Sequence, residues 1–429
     1  MNPTYSPEAE AYRQTVRRFL ANKLPADWKG LSAMAPDERQ EWLRQWRQVL
    51  ADAGLIALSW PKEYGGAGLS QLEQVILAEE FTNAGVPTAV ANDNFGTGMV
   101  GPTIIVWGTE EQKSYFLPRI ISGEHRWCQG YSEPEAGSDL AGLGTRAVLD
   151  GDEWVINGQK IWTSAARTAN WIFVLARTDP DAPKHKGITF LLVPMDQPGV
   201  EVRPIREMTG EALFNEVFFS DARTARANVV GEVNQGWTVA NTLLGFERGG
   251  RATIMHIAYR RELERIIDAA RQRGKAADPL IRQRLAAAHT DVEILRYLGM
   301  RSLTRALAGE RPGPEASVFK LAWSQYHQRV TELAVDILGM EAAAPSGERA
   351  MSSIGVDQSD TGSPAALVTT FLGARAGTIY AGTSQVQRNI LGERVLGLPR
   401  EPRSDDGPWS RTPRQPATEA TAAPAGARA

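Results

Sequence analysis

The chain holds one cysteine, Cys128, so no intramolecular disulfide framework is open to it, and a reducing compartment fits. Five scattered histidines and that lone cysteine do not make a zinc ligand set, and no metal is expected. Neither sign of charge predominates: 47 basic residues stand against 50 acidic ones, for a net charge of -3, which lacks the basic excess of a nucleic-acid binder. No apolar run is long enough to cross a bilayer. Residues 1–10 are polar and carry carboxylates, unlike a signal peptide or an Arg-rich transit sequence. There is no internal repeat. These absences lead to the expectation of a soluble cytoplasmic protein with no nucleic-acid or membrane partner.

What is present is a chain of 429 residues, 42% of them hydrophobic, too long for one ordinary core. Its first 125 residues read as a helical domain. Ser6-Pro7-Glu8 supplies a cap, a first-turn proline and an early acid. A helix from Pro36 carries Trp42, Leu43, Trp46, Val49 and Leu50 on one face, and Gly54 ends it. Ser70-Gln71-Leu72-Glu73 has capping-box spacing. The character changes over residues 126–235. Asp150-Gly151 and Asn157-Gly158 are turn signals, and 154–156, 171–175, 188–193 and 217–219 read as strands of a small antiparallel β-domain. Residues 236–400 are helical again, as a long segment towards Arg273 and stretches near 279–309, 314–340, 363–376 and 384–395. The expected fold is therefore α+β: an N-terminal helical domain, a middle antiparallel β-domain and a C-terminal four-helix bundle. Residues 401–429, rich in Pro, Ala, Arg and Thr without apolar periodicity, read as a disordered, dispensable tail.

Three segments carry chemistry. In Tyr131-Ser132-Glu133-Pro134-Glu135-Ala136-Gly137-Ser138-Asp139, small residues and hydroxyls at a turn can bring backbone N–H groups to an anionic ligand. Composition alone makes it only a Gly/Ser turn with an acidic shoulder. In Asn157-Gly158-Gln159-Lys160-Ile161-Trp162-Thr163-Ser164, an indole followed by hydroxyls can lie against a planar ligand; a core tryptophan at a strand end is the plainer account. In Tyr380-Ala381-Gly382-Thr383-Ser384-Gln385-Val386-Gln387-Arg388, a helix entry exposes N–H groups that attract negative charge, though an ordinary N-cap explains it as well.

In this order and at this spacing the three segments together resemble the signatures of the acyl-CoA dehydrogenase family, over about residues 5–400. The resemblance implies FAD as cofactor and dehydrogenation of an acyl-CoA thioester to the trans-2-enoyl thioester. It implies electron-transfer flavoprotein as electron acceptor and a homo- or heterotetramer as assembly. By position, Tyr131, Ser132, Gly137 and Ser138 are expected at the flavin and pyrophosphate, Trp162 over the isoalloxazine, Ser164 near its N5, and Thr383 and Gln385 at the FAD of the same or a neighbouring subunit. The backbone N–H of Ala381 is the expected oxyanion donor.

The chain departs from the family pattern in three places. Most members carry the catalytic glutamate immediately before Gly-Thr in the C-terminal loop, where this chain has Ala381. A minority place the base on the helix that opens the C-terminal domain, just before an arginine; Glu247-Arg248 matches that position, and Glu247 is the expected base rather than a solvated helix glutamate. Phe246, Arg248, Gly249 and Gly250 are the expected substrate neighbours; a close helix crossing is the plainer account of the paired glycines, and room for a bulky, branched or cyclic acyl group is the functional one. Secondly, the arginine that reaches the adjacent subunit's FAD is kept as Arg273, but the aromatic after it is gone. Thirdly, Asp336 stands where a glutamine near the pyrophosphate is usual. Three other readings stay open: a partner subunit that supports a heterotetramer, an oxygen-using relative, and a flavin-free binding module.

Overall fold

The computed structural model describes residues 6–90, 92–310, 313–314, 316–350, 362–400 and 407–411, with backbone alone at 32, 36 and 247–252. The N-terminal helices start where the capping chemistry puts them. Ser6 caps α1 (Pro7–Lys23), accepting from the Ala9 N–H, and Pro36 opens α2 (Pro36–Asp52). Ser70 and Glu73 form a reciprocal capping box at α3 (Gln71–Asn83). Trp28, Trp42 and Trp46 stack in series, with centroids 4.6 and 5.2 Å apart, against Leu50, Leu77 and Phe81. A helical turn at Asp93–Phe95 (α4) passes through a π-turn at Gly96–Val100 into α5 (Gly101–Trp107), and α6 (Glu110–Ser122) leads to the sheet.

The middle region is one seven-stranded sheet made of β1 (Trp127–Gly130), β2 (Arg146–Asp150), β3 (Glu153–Lys160), β4 (Trp171–Arg177), β5 (Ile188–Pro194), β6 (Val200–Pro204) and β7 (Asn215–Ala225). It is antiparallel except that β4 runs parallel to β1 and, at one residue pair, to β2. The sequences of β4 and β5 read as near-continuous apolar runs because both faces of these strands are buried. Phe173, Leu175, Phe190 and Leu192 point into a core shared with α5 and α6, while Ile172, Val174, Leu191 and Val193 point to the opposite face.

The turn expected at Asn157-Gly158 is not a turn. Both residues lie inside β3, at a bulge where its register against β7 slips. Gly158 is needed there because a Cβ would stand 2.5 Å from Thr145 Oγ1 and 2.7 Å from its Cα.

The C-terminal helices are α7 (Gly236–Gln272), α8 (Pro279–Leu307), α9 (Ala316–Leu338), α10 (Pro364–Ala374) and α11 (Ser384–Arg394). Of these, α7 to α10 surround a core of Tyr259, Leu263, Ile266, Val292, Tyr326, Leu333 and Leu367. The first turns of α7 belong elsewhere: Val239, Ala240 and Leu243 join the core shared with the sheet. Helix α7 thus ties the two regions together and runs unbroken through Gly249 and Gly250. No helix among the described residues is long and apolar enough to cross a membrane.

The reading of residues 401–429 as structureless fails at 407–411. There Trp409 folds back on the sheet domain, its N–H donating to Ala182 O at 3.0 Å and its Nε1 to Gly142 O at 3.1 Å. One aromatic ring seated by specific bonds leaves no periodic pattern in sequence. The remainder of that tail lies outside the described residues.

Candidate active site

The first two segments meet directly. The Ile161 N–H, at the end of β3, donates to Ser132 O at 2.9 Å. Tyr131 is buried edge-on against Phe173 and Phe190, while Ser132 is half-buried and Gly137 and Ser138 are exposed. Beneath this loop lies an ion pair that the sequence reading did not single out. Lys160 is completely buried, and its ammonium donates to Glu133 Oε1 at 2.7 Å, Leu175 O at 2.8 Å and Tyr131 O at 3.1 Å. Glu133 in turn accepts from the N–H groups of Gly144 (2.6 Å) and Thr145 (2.9 Å). Burial pushes the Glu133 carboxyl up, but the charge and hydrogen bond of Lys160, with the bonds from Thr145 and Gly144, bring it below its ordinary value. The loop's shape is therefore set by one buried lysine and one carboxylate.

The second segment turns sharply after β3. Trp162 (φ 61°) and Ala165 (φ 57°) both occupy the left-handed region, which costs of order 1–3 kcal/mol for a non-glycine residue and persists only where neighbours enforce it. Here the neighbours are Asn215 and Leu213. Thr163 and Asn215 exchange backbone bonds at 3.0 and 3.1 Å, Asn215 Nδ2 adds a 2.9 Å bond to Thr163 O, and the Ala165 N–H reaches Leu213 O. The result is that Trp162 is 55% exposed, contrary to a core role. Phe214 holds the indole edge-to-face at 5.7 Å and 88°. Thr163 is buried, and its Oγ1 has no hydrogen-bond partner among the described residues. Ser164 is half-buried beside it.

The third segment stands on the helical bundle. Ala381 (φ 52°) and Gly382 (φ 86°) form a tight left-handed turn, and Thr383 caps α11 by accepting from the Val386 N–H. Gln387, buried, locks the turn by donating to Ala381 O (3.2 Å) and Gly382 O (3.3 Å). Ala381 and Gln385 are exposed and Thr383 is half-buried. From α9, Lys320 donates to Gly377 O at 2.9 Å, beside the rings of Trp323 and Tyr380; burial lowers its ammonium to about 8.

Of the remaining expected residues, Arg273 is engaged within the chain, donating to Glu341 at 2.8 and 2.6 Å and to Ala269 O. Asp336 pairs with Arg284 at 2.6 Å. Phe246 is 38% exposed on α7. The side chains of Glu247 and Arg248, and the surroundings of Gly249 and Gly250, lie outside the described residues.

Family models for the acyl-CoA dehydrogenase N-terminal, middle and C-terminal domains match residues 6–124, 128–222 and 234–396. The chain belongs to the acyl-CoA dehydrogenase family. It is 45% identical to acyl-CoA dehydrogenase IpdE1 of Mycobacterium tuberculosis, over 92% of this chain and 99% of that one. Among solved structures it is similar to the Tcur3481-Tcur3483 steroid ACAD (34% identity, TM-score 0.77, covering 94% of this chain and 100% of that one). It is likewise similar to the ChsE4-ChsE5 complex from Mycobacterium tuberculosis (33% identity, TM-score 0.74, the same coverage). This acyl-CoA dehydrogenase is an oxidoreductase with FAD as cofactor.

The residues present fit the flavin end of FAD. The exposed indole of Trp162 offers an aromatic face, the Thr163 hydroxyl is a buried group that a polar ligand edge can satisfy, and Gly137 opens on free space. Replacing Trp162 by Ala should raise flavin fluorescence and speed FAD loss on gel filtration. If neither changes, Trp162 is surface packing alone.

Proposed function

We propose that this acyl-CoA dehydrogenase acts on a bulky, branched or polycyclic acyl-CoA, with Glu247 as the base and with electrons passing to electron-transfer flavoprotein. The observation that carries this reading is the turn at Ala381. The loop is formed and locked by Gln387, yet alanine offers no proton acceptor at the position where most of the family has one. A positioned N–H can stabilise the oxygen of an enolate-like thioester, but the α-proton still needs a base. Glu247 lies on the helix that joins the sheet domain to the bundle, one turn after the buried Leu243, and is the residue to which we assign the missing carboxylate.

Tyr131, Ser132, Gly137, Ser138, Trp162 and Ser164 would bind and orient FAD, with Thr383 and Gln385 at its far end. When bound, FAD supplies the acceptor for the hydride from Cβ. Glu247 would hold the α-proton, and the Ala381 N–H would orient the thioester carbonyl.

Two helical glycines at 249 and 250 each sacrifice up to ~1 kcal/mol relative to alanine, and room for a large acyl group would account for their use. The steroid ACAD named above is in keeping with such a substrate. Anaerobic titration with a panel of CoA thioesters tests this. Polycyclic or branched acyl-CoAs should bleach the flavin fastest; faster bleaching by straight short-chain thioesters would overturn the substrate class.

A second reading, that the chain works within a heteromer, is favoured by specific observations. Arg273 is held by Glu341 rather than free to reach a neighbour's FAD, and the outer surface leaves Leu280, Met340 and Leu396 between 71% and 88% exposed. The ChsE4-ChsE5 relative is itself a complex of two different chains. Bleaching that begins only when a second chain is added would assign this chain the supporting role.

A further inference from the structure

The segment at 407–411 lies beyond the last residue matched to the family's C-terminal domain, at 396. It reaches back to the sheet domain by several specific contacts. The Trp409 N–H donates to Ala182 O (3.0 Å) and the Ser410 N–H to Pro180 O (2.9 Å), Pro408 bridges to Pro183, and Ser410 Oγ donates to Asp181 (3.1 Å). The indole then does two things. Its Nε1 donates to Gly142 O at 3.1 Å, and its ring lies 4.7 Å from the guanidinium carbon of Arg177. A Cβ built on Gly144 would stand 3.8 Å from Trp409 Cζ2, so the ring also covers that backbone.

Arg177 is only 2% exposed. A guanidinium cannot shed its proton in a protein, so a buried one must be surrounded by acceptors or a π-face. Its acceptors are Lys184 O (2.8 Å), Ala141 O (2.6 Å) and Leu143 O (3.4 Å), the last two within the stretch that follows the flavin loop. From that stretch, the N–H groups of Gly144 and Thr145 bind Glu133, which belongs to the flavin loop itself. A continuous set of contacts thus runs from Trp409 through Arg177 and residues 141–145 to Glu133.

We propose that Trp409 and Arg177 are positioning residues for FAD: the C-terminal segment is a strap that holds residues 141–145, and through Glu133 the flavin loop, in its binding conformation. This rests on the assignment of residues 131–138 to the flavin. The contribution is to retention and orientation of the cofactor, since Trp409 touches the loop's support and not the loop's exposed face.

The test uses the full-length holoenzyme and three changes: Trp409→Ala, Trp409→Phe, and a chain ending at Arg400. Two quantities are read: the rate of FAD release after dilution, followed by flavin fluorescence, and amide hydrogen exchange of residues 142–145 in the FAD-free chain. Loss of one hydrogen bond and one cation–π contact should speed release in Trp409→Ala by about tenfold, the equivalent of ~1.4 kcal/mol. Exchange at 142–145 should rise, with the α8–α9 core unchanged. Trp409→Phe keeps a ring over Arg177 but loses the Nε1 donor, and should fall between. The shortened chain should match Trp409→Ala. If the wild-type chain holds FAD and all three changes release it at the wild-type rate, the strap is overturned while the flavin site stands. If the wild-type chain never holds FAD, alone or with a partner chain, the flavin assignment fails first and the strap fails with it.

Discussion

Replacing Glu247 by glutamine is expected to leave FAD bound and to slow anaerobic flavin reduction by acyl-CoA about a hundredfold or more, the low end for loss of a positioned base. Glutamine keeps the shape of glutamate and removes the proton acceptor. The α-proton of a thioester is weakly acidic, so the proposed N–H donor at Ala381 would not suffice by itself. Helix α7 passes from a core shared with the sheet, where Leu243 is fully buried, into the bundle. A carboxylate that loses solvation beside a bound thioester becomes a better proton acceptor than one left in water. The companion experiment returns the carboxylate to the loop, as Glu247→Ala with Ala381→Glu. Partial recovery in that pair would show that the two positions address one substrate carbon. Reduction of Glu247→Gln at the wild-type rate would place the base elsewhere.

The fold is most legible in the sequence where its chemistry is local. Ser6 and the Ser70–Glu73 box mark helix starts because capping depends on residues three or four apart, Pro36 marks one because its fixed φ suits the first turn, and all three helices begin there. The strands β4 and β5 were visible as apolar runs, but not their neighbours, since the parallel pairing of β1 with β4 joins residues more than forty apart in the chain. Asn157-Gly158 misled because the dipeptide suits a turn, whereas here the glycine is required by the approach of Thr145. Trp162 cannot be told from a core residue by local sequence, because its exposure depends on a turn held by Asn215 and Leu213, some fifty residues away. The role of Gln387 is not legible in sequence for the same reason: its two acceptors exist only once the Ala381–Gly382 turn has formed. Lys160 could have been found. Trp154 and Ile156 fix the inward parity of β3, and the same parity puts Lys160 inside, where a lysine must have a partner.

That partnership makes Lys160→Met the largest expected loss of stability. The change removes three hydrogen bonds and leaves the Glu133 carboxylate, mostly buried, without its counter-charge. Breaking a buried ion pair from one side costs about 3–5 kcal/mol, so the denaturant midpoint should fall sharply and FAD should be lost from the loop above it. Methionine fills much of the lysine's volume, so the cost is electrostatic rather than a cavity. Adding Glu133→Gln removes the stranded charge and should recover a large part of the loss, because an uncharged pair carries a far smaller desolvation penalty. The pH dependence fixes the sign. In the wild-type chain Glu133 is held below its ordinary value, against the opposing pull of burial. Its stabilisation is therefore fully present above the unfolded carboxylate value of about 4.3, and is lost as the pH falls through the lower folded value. In Lys160→Met the bonds from Gly144 and Thr145 remain, but burial, the largest influence on Glu133, is no longer offset by the lysine, so the carboxyl rises from its wild-type value and protonation on mild acidification relieves the strain. The stability gap between wild type and Lys160→Met should therefore narrow from neutral pH towards about pH 5, and the double variant should show no such narrowing. A gap that stays constant over that range would mean that packing, and not the charge of Glu133, makes Lys160 necessary.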